Sequence, residues 1–142
     1  MADVIFALDP GLTTGWAIIR RQDKVVLGMG DFSTEELGCG VDALVRSMHK
    51  LGYRVVPVVE QMPTQGGTDG SLETQLKFVR RMIEHQVEDV FELDIVYLLP
   101  GQWKTSRVAL TTDPPAEWNG QKTSRHQKDA YLMGLYYARK RA

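Results

Sequence analysis

The sequence predicts an α/β fold: a mixed five-stranded sheet, three antiparallel strands followed by parallel ones, flanked by helices. Two observations carry that reading. Three short apolar runs fall within the first 32 residues, joined by turns too short for a crossover helix, so they form an antiparallel meander. Beyond them, β-rich runs alternate with stretches whose apolar residues recur at helical spacing, the pattern of parallel strands joined by helices. A length of 142 residues fits one domain, 1–142.

The elements follow in order. Val4-Ile5-Phe6-Ala7-Leu8 reads as a buried strand closed by the turn Asp9-Pro10-Gly11. Trp16-Ala17-Ile18-Ile19 is the second strand, and Gln22-Asp23 the tip of the hairpin after it. Lys24–Phe32 is the third, with glycines that predict a bulge or bend. Ser33 or Thr34 caps a helix with Glu35 and Glu36 in its first turn. Val41, Leu44, Val45, Met48 and Leu51 line one face, and Gly52 ends it. Val55–Val59 is a strand finishing at Glu60, and Pro57 inside it predicts a bulge or an unpaired position. Residues 64–70 read as a flexible loop without an apolar side chain. Ser71 caps a second helix with Leu72, Leu76, Val79, Ile83 and Val87 on one face. Asp94–Leu99 is the fifth strand. A long connection, 101–124, holds Pro114-Pro115 and Asn119-Gly120, and Arg125–Arg141 is the last helix, with Ala130, Leu132, Met133, Leu135, Tyr136 and Tyr137 mostly buried.

Composition narrows the function classes. No apolar run approaches the roughly 20 residues of a membrane-spanning helix. The Met-Ala-Asp start carries no export signal, and Cys39 alone cannot form an intramolecular disulfide, so a reducing cytoplasm is expected. The net charge of −1 is unevenly spread: residues 1–100 carry net −6 and residues 101–142 net +5. Arg139, Lys140 and Arg141 complement a helix C-terminus. Lys104, Arg107, Lys122, Arg125 and Lys128 are left over, and favour a polyanion-binding face.

Three signals carry chemistry. Asp9 ends a buried strand, which fixes its backbone while its carboxylate reaches outward; on its own it is equally an Asp-Pro-Gly turn residue. Glu60 closes the fourth strand, where acids are rare unless paired, solvated or bound to metal. In the predicted fold the first and fourth strands are parallel neighbours, so Asp9 and Glu60 end side by side. His126 and Asp129, three apart, share a face at the start of the last helix. An acid there also suits the helix dipole, but a charged histidine does not. Carboxylates that cluster repel one another unless a cation lies between them. All-oxygen ligands favour Mg²⁺ or Mn²⁺, and two such ions can drive phosphodiester hydrolysis.

These residues resemble a known family. Ile5–Gly11 with Thr14-Gly15-Trp16-Ala17 is similar to the opening of RuvC-type Holliday junction resolvases, members of the RNase H-like superfamily. Val58-Val59-Glu60 resembles their second acidic strand and His126–Ala130 their C-terminal motif. The compact size resembles the bacteriophage branch. The resemblance implies a homodimer cutting two symmetry-related strands of a four-way DNA junction, in a bacterial host cytoplasm if phage-encoded. It implies two metal ions per site, held by Asp9, Glu60 and Asp129, with His126 as a ligand or positioning the attacking water. It also implies that Gln61–Gly70 and the following helix, carrying Lys77, Arg80 and Arg81, approach the DNA and the partner subunit. Trp103-Lys104 falls where a basic phosphate contact is expected, and Trp103 and Trp118 either stack on bases or pin the loop to the core. Residues 101–124 depart from the family's cellular pattern.

The alternatives are a related nuclease acting on other branched DNA or RNA–DNA hybrids, and an inactive junction-binding protein. An actin-like ATPase or sugar kinase opens similarly but needs a second lobe that 142 residues cannot supply.

Overall fold

Alternation along β1 (Asp3–Asp9) explains the architecture. Val4, Phe6 and Leu8 point to one face of the sheet and Ile5 and Ala7 to the other, and both sets are fully buried, so helices must cover both faces. The computed structural model describes residues 2–61 and 70–140. Its five-stranded sheet has the order β3-β2-β1-β4-β5, with β2 spanning Thr13–Arg20, β3 Val26–Ser33, β4 Arg54–Glu60 and β5 Val96–Leu98. The first three strands are antiparallel, and β4 and β5 join in parallel, as the sequence predicts.

On one face lie α1 (Thr34–Lys50) and α2 (Gly70–Glu84), the latter running on as a π-helical turn, His85–Val90. Leu37, Val41, Val45, Val79, Ile83 and Val87 pack there against Val4, Phe6, Leu8 and Ile18. Leu72, expected on that buried face, is instead 42% exposed. Ser33 caps α1 by accepting the Glu36 N–H while Glu36 reaches back to the Ser33 N–H. The predicted loop 64–70 lies, apart from Gly70, outside the described residues.

On the other face lies α5 (Arg125–Lys140), whose Ala130, Met133, Leu135 and Tyr137 pack on Ile5, Ala7, Ala17, Ile19 and Met29. Leu132 and Tyr136 are only half-buried at its edge.

The connection 101–124 has more structure than the sequence reading gave it. Two short helices, α3 (Pro100–Trp103) and α4 (Arg107–Thr111), precede a hairpin of β6 (Glu117–Trp118) and β7 (Gln121–Lys122). The hairpin turns on Asn119 and Gly120, both at positive φ, which that dipeptide tolerates best.

Two predicted irregularities resolve in physical terms. Register slips between Ile18 and Ile19 opposite β3, leaving Leu27 as the extra residue of a bulge. Beside it, Gly28 and Gly30 leave room for the Trp16 indole, which a Cβ at Gly30 would meet at 2.8 Å. Pro57 makes no bulge: it pairs in register with Phe6, and β5 begins opposite Val58, so no β5 residue lies across from the proline.

Candidate active site

The site forms where four strands reach one edge of the sheet. Asp9 pairs across with Gly15, and Gly15 with Asp31, so these three stand in one row over β1, β2 and β3. Leu8 pairs with Val59, which brings Glu60 of β4 beside Asp9. Strand parity puts all four on the α5 face: Asp9 follows Ile5 and Ala7, Gly15 precedes Ala17 and Ile19, Asp31 follows Met29, and Glu60 follows Val58.

Asp9 and Glu60 are both buried, at 6% exposure each. Asp9 Oδ2 lies 3.2 Å from His126 Nδ1 at the start of α5. Its carboxylate side is the buried half of that contact, 9% exposed against 45% for the histidine, so the imidazole stands at the mouth of the site. Glu60 Oε2 accepts a 2.7 Å hydrogen bond from the indole N–H of Trp103, itself buried in the core. Trp103 therefore pins the connection to the core and orients a carboxylate.

Burial pushes the proton affinity of Asp9 above the ordinary carboxylate range, against the His126 hydrogen bond that favours the charge; repulsion from Asp129 adds to the rise. Burial likewise raises Glu60, with the Asp9 and Asp129 charges in the same direction and the Trp103 hydrogen bond opposing. Asp9, Glu60 and Asp129 thus act on one another electrostatically, and Lys104, over the Trp103 ring, favours the charged forms of both buried acids.

No group of three His, Cys, Asp or Glu side chains among the described residues converges closely enough to form a ready metal cage. The donor set nonetheless suits a hard cation. Two buried, mutually repelling carboxylates have a histidine and an indole as their hydrogen-bonding partners, and carboxylate oxygens match Mg²⁺ or Mn²⁺.

Raised carboxyl proton affinities make stability depend on pH. Below the ordinary values of 3.8 and 4.5 both groups are protonated whether folded or unfolded, and contribute no difference. Above them the unfolded chain gives up these protons first, so the native state holds more protons and stability falls as pH climbs through the raised native values. In EDTA, wild-type protein is expected to lose stability relative to Asp9→Asn/Glu60→Gln as pH rises above the ordinary carboxylate range. Millimolar Mg²⁺ at the higher pH should restore it by binding the native state. Thermal melts as a function of pH check this, and a gap independent of pH would contradict it.

The basic candidates divide. Lys104 belongs to the site. Arg107 is exposed at the start of α4. Lys122 lines an open cavity of about 310 Å³ together with Asp31, Trp118 and Gln127, and Arg125 and Lys128 stand on the first turn of α5. Lys77, Arg80 and Arg81 lie on α2, which packs on the opposite face of the sheet. Lys77 faces Glu73 at 3.7 Å, while Arg80 faces Glu84 at 3.5 Å and lies over the Tyr97 ring. Trp118 is half-buried against the α5-side core.

The sequence reading passed over Asp31, Ser124 and Gln127. The Ser124-x-x-Gln127 spacing of a helix cap was legible, whereas the link to Asp31 is 93 and 96 residues long.

No protein-family model matches the chain, and no curated protein matches its sequence. Among solved structures it is similar to Thermus thermophilus RuvC in complex with a Holliday junction substrate, with TM-score 0.69 and 14% identity over 97% of this chain and 96% of that one. It is also similar to another Thermus thermophilus RuvC structure, with TM-score 0.64 and 16% identity over 96% of each chain. Near-complete coverage of both partners means that compactness does not set this chain apart from those. Among the described residues no helix is long and apolar enough to cross a membrane. With its five-stranded mixed sheet, helices on both faces and end-to-end correspondence, the chain has the RNase H-like fold seen in RuvC.

Proposed function

We propose that this chain is a divalent-metal-dependent endodeoxyribonuclease that resolves four-way DNA junctions by paired symmetric incision. The observation that carries the reading is the pair of buried acids, Asp9 and Glu60, ending adjacent parallel strands beneath His126. The fold's correspondence to a protein solved on a Holliday junction supports the substrate.

Asp9, Glu60 and Asp129, with His126, would hold two magnesium ions; when bound, these supply charge stabilisation at the phosphate and an acidified water. The chain's own part is positional. Parallel strands fix both buried carboxylates, and the Trp103 N–H sets the orientation of Glu60. His126, tethered through Nδ1 to Asp9, keeps Nε2 for an ion or for the attacking water. Lys104 reduces the charge repulsion that two buried acids present to an incoming phosphate. Lys122, Arg125, Lys128 and Arg107, on the net-positive C-terminal part of the chain, supply phosphate contacts. Lys77, Arg80 and Arg81 on α2 serve a second part of the junction. Two incisions at symmetric positions need two sites at a fixed spacing, which a homodimer provides.

A gel assay with Mg²⁺ or Mn²⁺ tests this on a four-way junction, a Y-fork, an RNA–DNA hybrid and plain duplex. Symmetric paired nicks confined to the four-way junction are the expected result. Equal cutting of the hybrid or fork would instead favour a nuclease of different substrate class, and binding without cutting an inactive junction binder.

A further inference from the structure

The row Asp31–Gly15–Asp9 has α5 laid across it, and the two acids at its ends hold different parts of that helix's first turn. Asp9 meets His126. Asp31 Oδ1 accepts from the Ser124 hydroxyl at 2.9 Å, and Asp31 Oδ2 accepts from the Gln127 side-chain amide at 2.7 Å. Ser124 Oγ in turn accepts the backbone N–H of Gln127 at 3.1 Å. In an ordinary capping box the residue in Gln127's place turns back to the N–H of the capping residue. Here its side chain goes to Asp31 instead, on a strand 96 residues away. The bridged residues, Ser124 and Gln127, bracket His126 in sequence. Between the two acids, Gly15 lets the helix backbone descend onto the sheet, since a Cβ there would fall 2.2 Å from the His126 carbonyl carbon.

From this geometry we infer that Asp31 is a positioning residue: by clamping Ser124 and Gln127 it fixes the height and rotation of the first turn of α5, and so places the His126 imidazole against Asp9. Two acceptor oxygens hold two donors on either side of one histidine, which restrains rotation as well as distance. A carboxylate in this role forms charge-assisted hydrogen bonds, stronger than neutral ones. Both Asp31 oxygens are engaged by α5, so its effect on the site runs through that helix's first turn. The inference deepens the nuclease reading, but its geometric claim stands without that reading.

The experiment uses the full chain as wild type, Asp31→Ala and Asp31→Asn, with Gln127→Ala as a second way to open the clamp. The direct readout is the ¹⁵N and ¹H resonances of the His126 imidazole in metal-free protein, beside the amide spectrum of the rest of α5. Asp31→Ala and Gln127→Ala are expected to shift the His126 ring signals while the amides from Ala130 onward stay in place. Asp31→Asn, which can still accept from Gln127 and hydrogen-bond Ser124, should restore most of the wild-type ring signals. Mn²⁺ affinity, measured by calorimetry without DNA, is expected to fall about 10- to 100-fold in Asp31→Ala. On junction substrate kcat should fall by a similar factor with KM little changed. Unchanged His126 signals in Asp31→Ala would overturn the inference, as would general loss of α5 dispersion, which would mark a merely structural contact. Variants whose His126 signals shift as expected, beside a wild type that binds Mn²⁺ yet cuts no DNA, would leave the clamp standing and remove the nuclease reading.

Discussion

Asp9→Asn is expected to lower Mg²⁺-dependent junction cleavage by about 10⁴-fold or more while leaving junction binding nearly intact, the size of effect seen when a member of a catalytic constellation is removed. The substitution keeps the shape of the side chain and an oxygen that His126 can meet, so the fold has no reason to change. What it removes is the negative charge that the proposed cation would need at the buried end of β1. Affinity for DNA resides mainly in contacts to phosphates, which on the proposed reading come from basic side chains elsewhere on the surface. The measurement is single-turnover cleavage beside a gel shift on the same junction. Full Mg²⁺-dependent cleavage by Asp9→Asn would falsify the assignment of this site. Because Asp9 is held above the ordinary carboxylate range by burial, the variant should also be at least as stable as wild type without metal. Lost activity therefore cannot be ascribed to unfolding.

Gly15→Ala should have the second-largest effect, although Gly15 bears no functional group. A Cβ at this position would stand 2.2 Å from the His126 carbonyl carbon, 2.4 Å from its oxygen and 2.6 Å from the Gln127 nitrogen. All three are backbone atoms, so no rotamer change relieves the clash and the first turn of α5 must lift. Forcing an extra methyl into a packed interface costs about 1–3 kcal/mol. Lifting the turn also stretches the 3.2 Å His126–Asp9 contact and opens the Asp31 clamp. A displacement of about 1 Å at a reacting centre costs about 10²-fold in rate, so cleavage should fall by that order even in molecules that remain folded. Urea unfolding and single-turnover kinetics separate the two losses. Gly101→Ala is the control, since a Cβ there meets nothing within 4 Å. A Gly15→Ala protein matching wild type in both measurements would mean that α5 does not need this close approach.

Much of this arrangement was legible in the residues because it rests on local periodicity. The alternation of Val4, Phe6 and Leu8 with Ile5 and Ala7 marks a strand buried on both faces, and the structure covers each face with helices. Asp9 and Glu60 stood out as acids at the ends of such strands, and their neighbourhood follows once β1 and β4 pair in parallel. Ser33 and Glu36 announced a helix start, and Gly52 at positive φ its end. Where the reading fell short, local signals were faint or overlooked. The hairpin of β6 and β7 has only two residues per strand, too few for alternation to show, though Asn119-Gly120 marked its turn. Leu72 continued the helical apolar stripe in sequence yet is exposed.

The amino-acid order by itself determined the five strands of the main sheet and its long helices, and that Asp9 and Glu60 end side by side at one sheet edge. Only the tertiary structure decided how those groups are held. Trp103 orients Glu60 from 43 positions away, His126 reaches Asp9 from 117, and Gln127 leaves its own helix cap for Asp31 across 96. Periodicity is a property of neighbours in the chain, with a reach of a few residues. Hydrogen-bond partners of this kind depend on strand register and on how closely a helix can approach the sheet. At this site that approach is set by the absence of a single side chain, at Gly15.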